Sequence, residues 1–154
     1  ASSPNRTAEE TYRTAKEMLR TVRQLKQPIP NDQLIFDGGI APIGGDSEGI
    51  LKRLLAGMKL IHDDSDFAGV HMSVGLSNFT VMLPPKRADG SPVKGALESA
   101  FLTLAMPLGL DMIIGSMSRK YEILTEDHPA MACLRDILTL DGFAAVMRVK
   151  DFYS

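Results

Sequence analysis

The sequence predicts an α/β fold in which a parallel sheet is covered by helices. Short apolar runs begin near residues 34, 70 and 110. Each is followed by an amphipathic stretch with apolar residues at helical spacing. The strand–helix unit recurs about every 35–40 residues, without a residue-level repeat. Strands that alternate with amphipathic helices argue for a parallel sheet between or beneath those helices.

Composition fits one domain over residues 1–154. The chain is 44% hydrophobic and 23% charged, which is ordinary globular usage and enough for a core. Its 17 basic and 19 acidic residues leave a net charge of -2. No basic block stands out, so nucleic acid is not an expected partner. The single cysteine, Cys133, lies in an apolar helical pattern and reads as a small buried hydrophobe. One cysteine allows no intrachain disulfide, which fits a reducing cytoplasm. No signal-peptide pattern opens the sequence. The most apolar stretch, residues 100–115, is broken by Pro107 and Asp111. It falls short of the about 20 residues that a membrane span needs. A cytoplasmic protein with no membrane partner is expected.

Residues 1–6 are polar and are expected to fray. Thr7 and Glu10 have the spacing of a capping box. Tyr12, Ala15, Met18, Leu19, Val22 and Leu25 then follow at helical spacing, ahead of Pro28 and Pro30, which end the helix. Residues 34–36 read as a strand apolar on both faces, as in a buried parallel sheet. The loop Asp37-Gly-Gly-Ile-Ala-Pro-Ile-Gly-Gly45 matches neither the P-loop nor the dinucleotide fingerprint. Asp46 or Ser47 is expected to cap a second helix, with Ile50, Leu51, Leu54, Leu55, Met58 and Ile61 inward.

The acidic segment His62-Asp-Asp-Ser-Asp66 lacks calcium-loop spacing and reads as a solvated turn. The central strand spans residues 70–74 and is expected to run out into a loop that carries Gly75, Ser77 and Asn78. A loop over residues 84–95, with Lys86 and Arg87, is long enough to be a functional lid. A third helix is predicted over residues 97–108 and a third strand over residues 110–115. A turn at Asp127-His-Pro129 starts a fourth helix with Met131, Leu134, Ile137 and Leu138 inward. Asp141 opens a last helical segment with Phe143, Val146, Met147 and Phe152 as its apolar residues.

Folds of this class carry their chemistry at the carboxyl ends of the strands, where Asp37 and Asn78 fall. Asp37 reads either as a turn or cap residue or as a binding carboxylate. In the second role it accepts two N–H bonds from a planar heterocycle, such as a pterin's amino group and ring N–H. Asn78 reads either as a turn residue or as a neutral amide facing a ring nitrogen whose charge changes in the reaction. His62, His71 and His128 have no paired ligand spacing, so no bound metal is expected. His71 reads as a hydrogen-bonded core histidine. No serine or cysteine sits in a nucleophile elbow. Ser118-Arg-Lys120 reads as solvated surface.

The chain shows three clear strands and opens on a helix. A complete (β/α)8 barrel needs about 250 residues. The alternation therefore looks like the second half of such a barrel. Three stretches carry a resemblance: Leu34-Ile-Phe-Asp37, Gly69-Val-His-Met-Ser-Val-Gly-Leu-Ser-Asn78 and Ala100-Phe-Leu-Thr-Leu-Ala-Met-Pro-Leu-Gly-Leu-Asp-Met-Ile-Ile114. Together they resemble the pterin-binding family over roughly residues 8–150. That family comprises methyltetrahydrofolate:corrinoid methyltransferases, the pterin domain of cobalamin-dependent methionine synthase, and dihydropteroate synthase.

The resemblance implies a TIM (β/α)8 barrel of the pterin-binding type, with this chain covering about its last three strand–helix units. It implies methyl transfer from 5-methyltetrahydrofolate, or a related pterin, to the cobalt of a corrinoid (cobalamin) protein, without a metal bound by the pterin protein itself. Asp37 would grip the pterin, with Gly75, Ser77 and Asn78 lining the site. Asn78 would be catalytic, bonding near N5 as the methyl group departs. Lys86 and Arg87 are candidates for contacts to a substrate anion or a partner. Dihydropteroate synthase-type condensation with p-aminobenzoate is the alternative. Its motifs are echoed only loosely, by Gly115-Ser-Met-Ser-Arg-Lys120 with one extra residue and by Met147-Arg-Val-Lys-Asp151 without the histidine. A third reading is a pterin-binding module without catalysis, because the family's earlier strands are missing. The expected partners are the corrinoid protein, the missing amino-terminal half of the barrel, and further copies of this chain in a homo-oligomer.

Overall fold

In the computed structural model, which describes residues 5–154, the first helix starts where its capping pattern lies. Helix α1 (Ala8–Arg23) is capped by Thr7, whose hydroxyl accepts the Glu10 N–H at 3.1 Å. The Glu10 carboxylate accepts the Arg6 N–H at 2.6 Å, one residue upstream of the reciprocal bond in a capping box. Glu9 and Glu10 in the first turn, and Arg20 and Arg23 in the last, complement the helix dipole. The fraying expected for residues 1–6 is not seen at Asn5 and Arg6. Asn5 accepts the Thr14 hydroxyl at 3.1 Å, and Arg6 is tied to Glu10. Residues 1–4 lie outside the described residues.

Strands β1 (Ile35–Asp37), β2 (His71–Val74) and β3 (Leu110–Ile113) form a parallel sheet in the order β1-β2-β3. Ile35 pairs with His71, Phe36 with Met72 and Asp37 with Ser73. On the other side Met72 pairs with Leu110, but Ser73 pairs with Met112, so Asp111 is an extra residue in β3. Its carboxylate fills the gap in the ladder. Oδ1 accepts the Met72 N–H at 3.1 Å, and Oδ2 lies 2.6 Å from His71 Nδ1.

Helices cover one face of this sheet. Helix α2 (Ile50–Asp63) buries Leu51, Leu54, Leu55, Met58 and Ile61, the stripe that its spacing predicts, while Ile50 is half-buried. Gly49 holds its N-cap position, and the capping bonds come from Asp46, a buried residue whose carboxylate accepts the N–H groups of Ile50 at 2.7 Å and Leu51 at 2.8 Å. Helix α4 (Lys94–Ala105) buries Leu97, Ala100, Phe101 and Ala105. Helices α5 (Pro129–Thr139) and α6 (Gly142–Tyr153) add Met131, Cys133, Leu134, Val149 and Phe152. Each fully buried large apolar side chain contributes about 1.5–3 kcal/mol relative to exposure. Burial pushes the Cys133 thiol up to about 11, which leaves it an inert core group.

The structure departs further from the sequence expectations along the chain. Strand β2 does not run out into a loop. It ends in the one-turn helix α3 (Leu76–Phe79), because Leu76 and Phe79, three residues apart, are both drawn into the core. Helix α4 starts at Lys94, and the turn after it, Met106–Leu108, tightens to a 3-10 form around Pro107. Gly109, at φ 92°, then turns the chain into β3, and a Cβ there would lie 2.9 Å from His62 Nδ1.

The acidic turn is not simply solvated. Asp64 accepts the Tyr12 hydroxyl at 2.7 Å and pairs with Lys16, which also reaches Asp66 at 2.6 Å. The Lys16 ammonium holds the Asp64 carboxyl down to about 2. This turn therefore fastens α1 to the connection between α2 and β2. Finally, β1 is buried on one face only. Phe36 packs edge-on against Phe67, with ring centroids 5.6 Å apart, whereas Ile35 is 55% exposed. Ile35 and Met112 stay exposed on the opposite face, and no described strand pairs with the outer edge of β1 or β3.

Open parallel edges offer unpaired N–H and C=O groups to other chains. The chain is therefore expected to self-associate or to bind a dye that reports exposed apolar surface. Sedimentation at micromolar concentration, with and without the dye, measures both. A dye-free monomer with cooperative unfolding would show that the bare face is tolerated as it stands.

Candidate functional site

The carboxyl ends of β1 and β2 lie side by side, and each ends in a polar residue held by local chemistry. Asp37 Oδ1 accepts the Gly39 N–H at 2.8 Å in a turn closed by its own side chain. Its Oδ2 accepts the hydroxyl of Ser73, its register partner, at 3.2 Å. The carboxylate is thus fixed in direction, and it retains acceptor capacity because an ionised carboxylate has about four lone-pair sites.

The group after β2 is set by α3. The Ser77 N–H points to the Ile114 carbonyl at 3.4 Å, which ties α3 to the end of β3. The Asn78 N–H bonds the Gly75 carbonyl at 2.9 Å, and its side chain is exposed. The amide lies directly over Gly75, since a Cβ at that glycine would come within 2.9 Å of Asn78 Nδ2. Gly75 thus earns its place by leaving room for the amide. Asp37, Ser77 and Asn78 therefore share one end of the sheet. They do not share one enclosed pocket. Asp37 lies in the wall of a cavity of about 290 Å³ between α1, α2 and β1, with Met18, Phe36, Leu54 and Met58, and Asn78 is not in that wall.

Lys86 and Arg87 also stay out of that cavity. Lys86 forms an isolated antiparallel bridge with Pro92, which folds the long loop back on itself. Arg87 places its guanidinium 4.9 Å above the Phe152 ring and 3.9 Å from Asp89. It is spent on packing the loop against α6 rather than on the carboxyl ends of β1 and β2.

Two polar groupings go beyond the sequence reading. One is His71 with Asp111: the hydrogen bond expected of His71 is present, but the residue lies on the bare face of the sheet and not in the core. His71 is half-buried, and its hydrogen bond to Asp111 raises its pKa above the ordinary 6.5. The second is Glu98, which is fully buried in α4. Its Oε1 receives the Thr80 hydroxyl and the Arg119 guanidinium, and Oε2 has no partner among the described residues. Thr80 lies just beyond α3, so Glu98 ties the chain after Asn78 to the loop after β3. The signals were present: a lone acidic residue in an apolar strand and another inside an apolar helical run.

Among the described residues no group of three or more His, Cys, Asp or Glu side chains is placed to hold a metal ion. No described helix is long and apolar enough to cross a membrane. No protein-family model matches the chain, and no curated protein shows significant similarity to it.

Two outcomes follow from this geometry. The folded-state pKa of His71 is raised, so its contribution to stability is fully present below about pH 6.5 and is lost as pH rises through the raised value. Denaturation midpoints measured across that window should fall with rising pH, and Asp111→Asn should flatten the slope. Gly75→Ala should change stability little, because the displaced atom is the end of a flexible side chain, yet it should move the Asn78 amide. A crystal structure of that variant reads the displacement directly.

Proposed function

We propose that the chain forms the last three strand–helix units of a pterin-binding (β/α)8 barrel. The activity proposed for that barrel is transfer of a methyl group from 5-methyltetrahydrofolate, or a related pterin, to the cobalt of a corrinoid protein. The observation that carries this reading is the placement of Asp37 and of the Gly75-to-Asn78 turn at the carboxyl ends of two neighbouring, hydrogen-bonded parallel strands. Asp37 offers a fixed, exposed acceptor to the pterin's amino group and ring N–H, and Ser73 and Gly39 hold its direction. Asn78 offers an exposed amide that can donate to or accept from a ring nitrogen. Methyl transfer requires N5 to gain positive character, by taking a proton from solvent, before its bond to the methyl carbon breaks, and a neutral amide can bond that nitrogen with or without the proton. The bare face and edges of the sheet support the barrel reading, because interior strand faces lose their partners when a barrel is incomplete.

The condensation with p-aminobenzoate fits less well. Its motif is echoed only loosely at Ser118, Arg119 and Lys120, and these residues line a cavity apart from Asp37, to which β1 contributes nothing.

The test is a fluorescence titration with methyltetrahydropterin, followed by an assay of methyl transfer to reduced cobalamin. Asp37→Asn should weaken pterin binding by about 1.5–3 kcal/mol, the range for hydrogen bonds to charged groups. Unchanged affinity would remove Asp37 from the site. Asn78→Ala should lower kcat more than it lowers affinity, as expected for a contact made mainly in the transition state. Parent-like kinetics in that variant would take the catalytic role away from Asn78.

A further inference from the structure

A second cavity, of about 620 Å³, opens between the start of α4 and the loop after β3. Lys94, Arg119, Lys120 and His128 line it together with Ser118, and Glu122 is the one carboxylate in its wall. No residue of β1, β2 or α3 takes part.

The three permanent cations are not equally committed. Arg119 is anchored by the fully buried Glu98 and by Thr80, and both contacts use Nη1. A guanidinium carries five N–H donors, so the rest of the fork remains for the cavity it lines. Lys120 is 87% exposed at its side chain and pairs with Glu122 at 2.6 Å, the kind of surface pair that contributes little. Lys94 makes one long contact, to the Val81 carbonyl at 3.4 Å. It also stands in the first turn of α4, where a cation is electrostatically disfavoured. Three cations from two segments, the start of α4 and the loop after β3, therefore line one open space whose wall holds one weakly engaged carboxylate. An oxyanion there would relieve the repulsion between Lys94 and its helix. It would also accept from the Arg119 fork, which matches oxyanion geometry.

We propose that this cavity is a binding site for a small oxyanion group, held by Arg119 as a fixed anchor and by Lys94 and Lys120 as mobile cations. Lys120 exchanges Glu122 for the ligand. Carboxylate and phosphate present the same chemistry to this wall. The group arrives either as free phosphate or as the carboxylate of a larger molecule, such as the glutamate tail of a folate. The site stands apart from Asp37, so it holds whether or not a pterin binds there.

Calorimetric titration of the full chain at low ionic strength tests this, with inorganic phosphate in one arm and p-aminobenzoylglutamate in the other. At least one should bind saturably. The double variant Lys94→Ala, Lys120→Ala should bind it about tenfold or more weakly, and Lys94→Arg with Lys120→Arg should restore binding. Neither substitution touches the Glu98 anchor, and Lys94→Ala alone provides a milder variant with the same direction of effect. Phosphate binding without p-aminobenzoylglutamate binding assigns a free inorganic ligand, and the reverse assigns a carboxylate tail. No saturable binding in either arm, or equal binding by the double variant, would overturn the proposal. Loss of pterin binding at Asp37 in a separate titration would leave both results unaffected.

Discussion

Strand β2 is the one described strand whose two hydrogen-bonding edges are both occupied, and the placement of everything else depends on it. Its parallel pairing with β1 and β3 brings the carboxyl ends of all three to one side. Register then decides which side chains meet. Asp37 lies opposite Ser73, and a slip of one residue would turn Asp37 toward the helices and Phe36 toward solvent. The slip that does occur lies between β2 and β3. Asp111 absorbs it by accepting the Met72 N–H that the irregular ladder leaves free. One carboxylate thus repairs the sheet and sets the environment of His71.

The layers are one-sided. On the covered face the cross-strand neighbours Phe36, Met72 and Leu110 meet α2, α4 and their neighbours in a continuous apolar core. The other face is mixed. Ile35 and Met112 are apolar and exposed, while Asp37 with Ser73 and His71 with Asp111 satisfy one another. A face shaped only for water has little use for Ile35 and Met112. A face shaped only for an apolar layer could not afford charged groups without partners. Polar groups already paired, set among apolar ones, suit a face that is covered and that leads to a polar opening at one end.

Much of this was legible in the residues. The α2 stripe, the Thr7 cap, the stop before Pro28 and the order of three strands and their helices all follow from local periodicity and from proline and capping chemistry. Asp37 and Asn78 were legible as strand-end polar residues for the same reason. The pairings that hold them were not. Asp37 with Ser73, His71 with Asp111, and Thr80 with Glu98 and Arg119 join residues from 18 to 40 positions apart. Only the register of the sheet and the seat of α4 bring them together. The acidic turn was misread for a related cause, since its partner Lys16 belongs to a helix 48 residues upstream of Asp64. Arg87 was read as a candidate contact to a substrate anion or a partner because nothing local indicates that Phe152 lies beneath it.

Glu98 shows how the two ends of the chain's chemistry are joined. A fully buried carboxylate carries a desolvation cost of several kcal/mol, which a single ion pair offsets only in part. Its second oxygen lacks a partner among the described residues, so net stability is a poor account of its presence. Its contacts give a better one. Thr80 fixes the chain just beyond Asn78, and Arg119 fixes the loop beyond β3. The Ser77 N–H to Ile114 bond crosses the same boundary at the level of the sheet. Two crosslinks, one through backbone and one through a buried charge, hold the turn that carries Asn78 against the loop that carries Arg119 and Lys120. An exposed amide on a one-turn helix has little rigidity of its own. Here that rigidity comes from a carboxylate in the adjacent core.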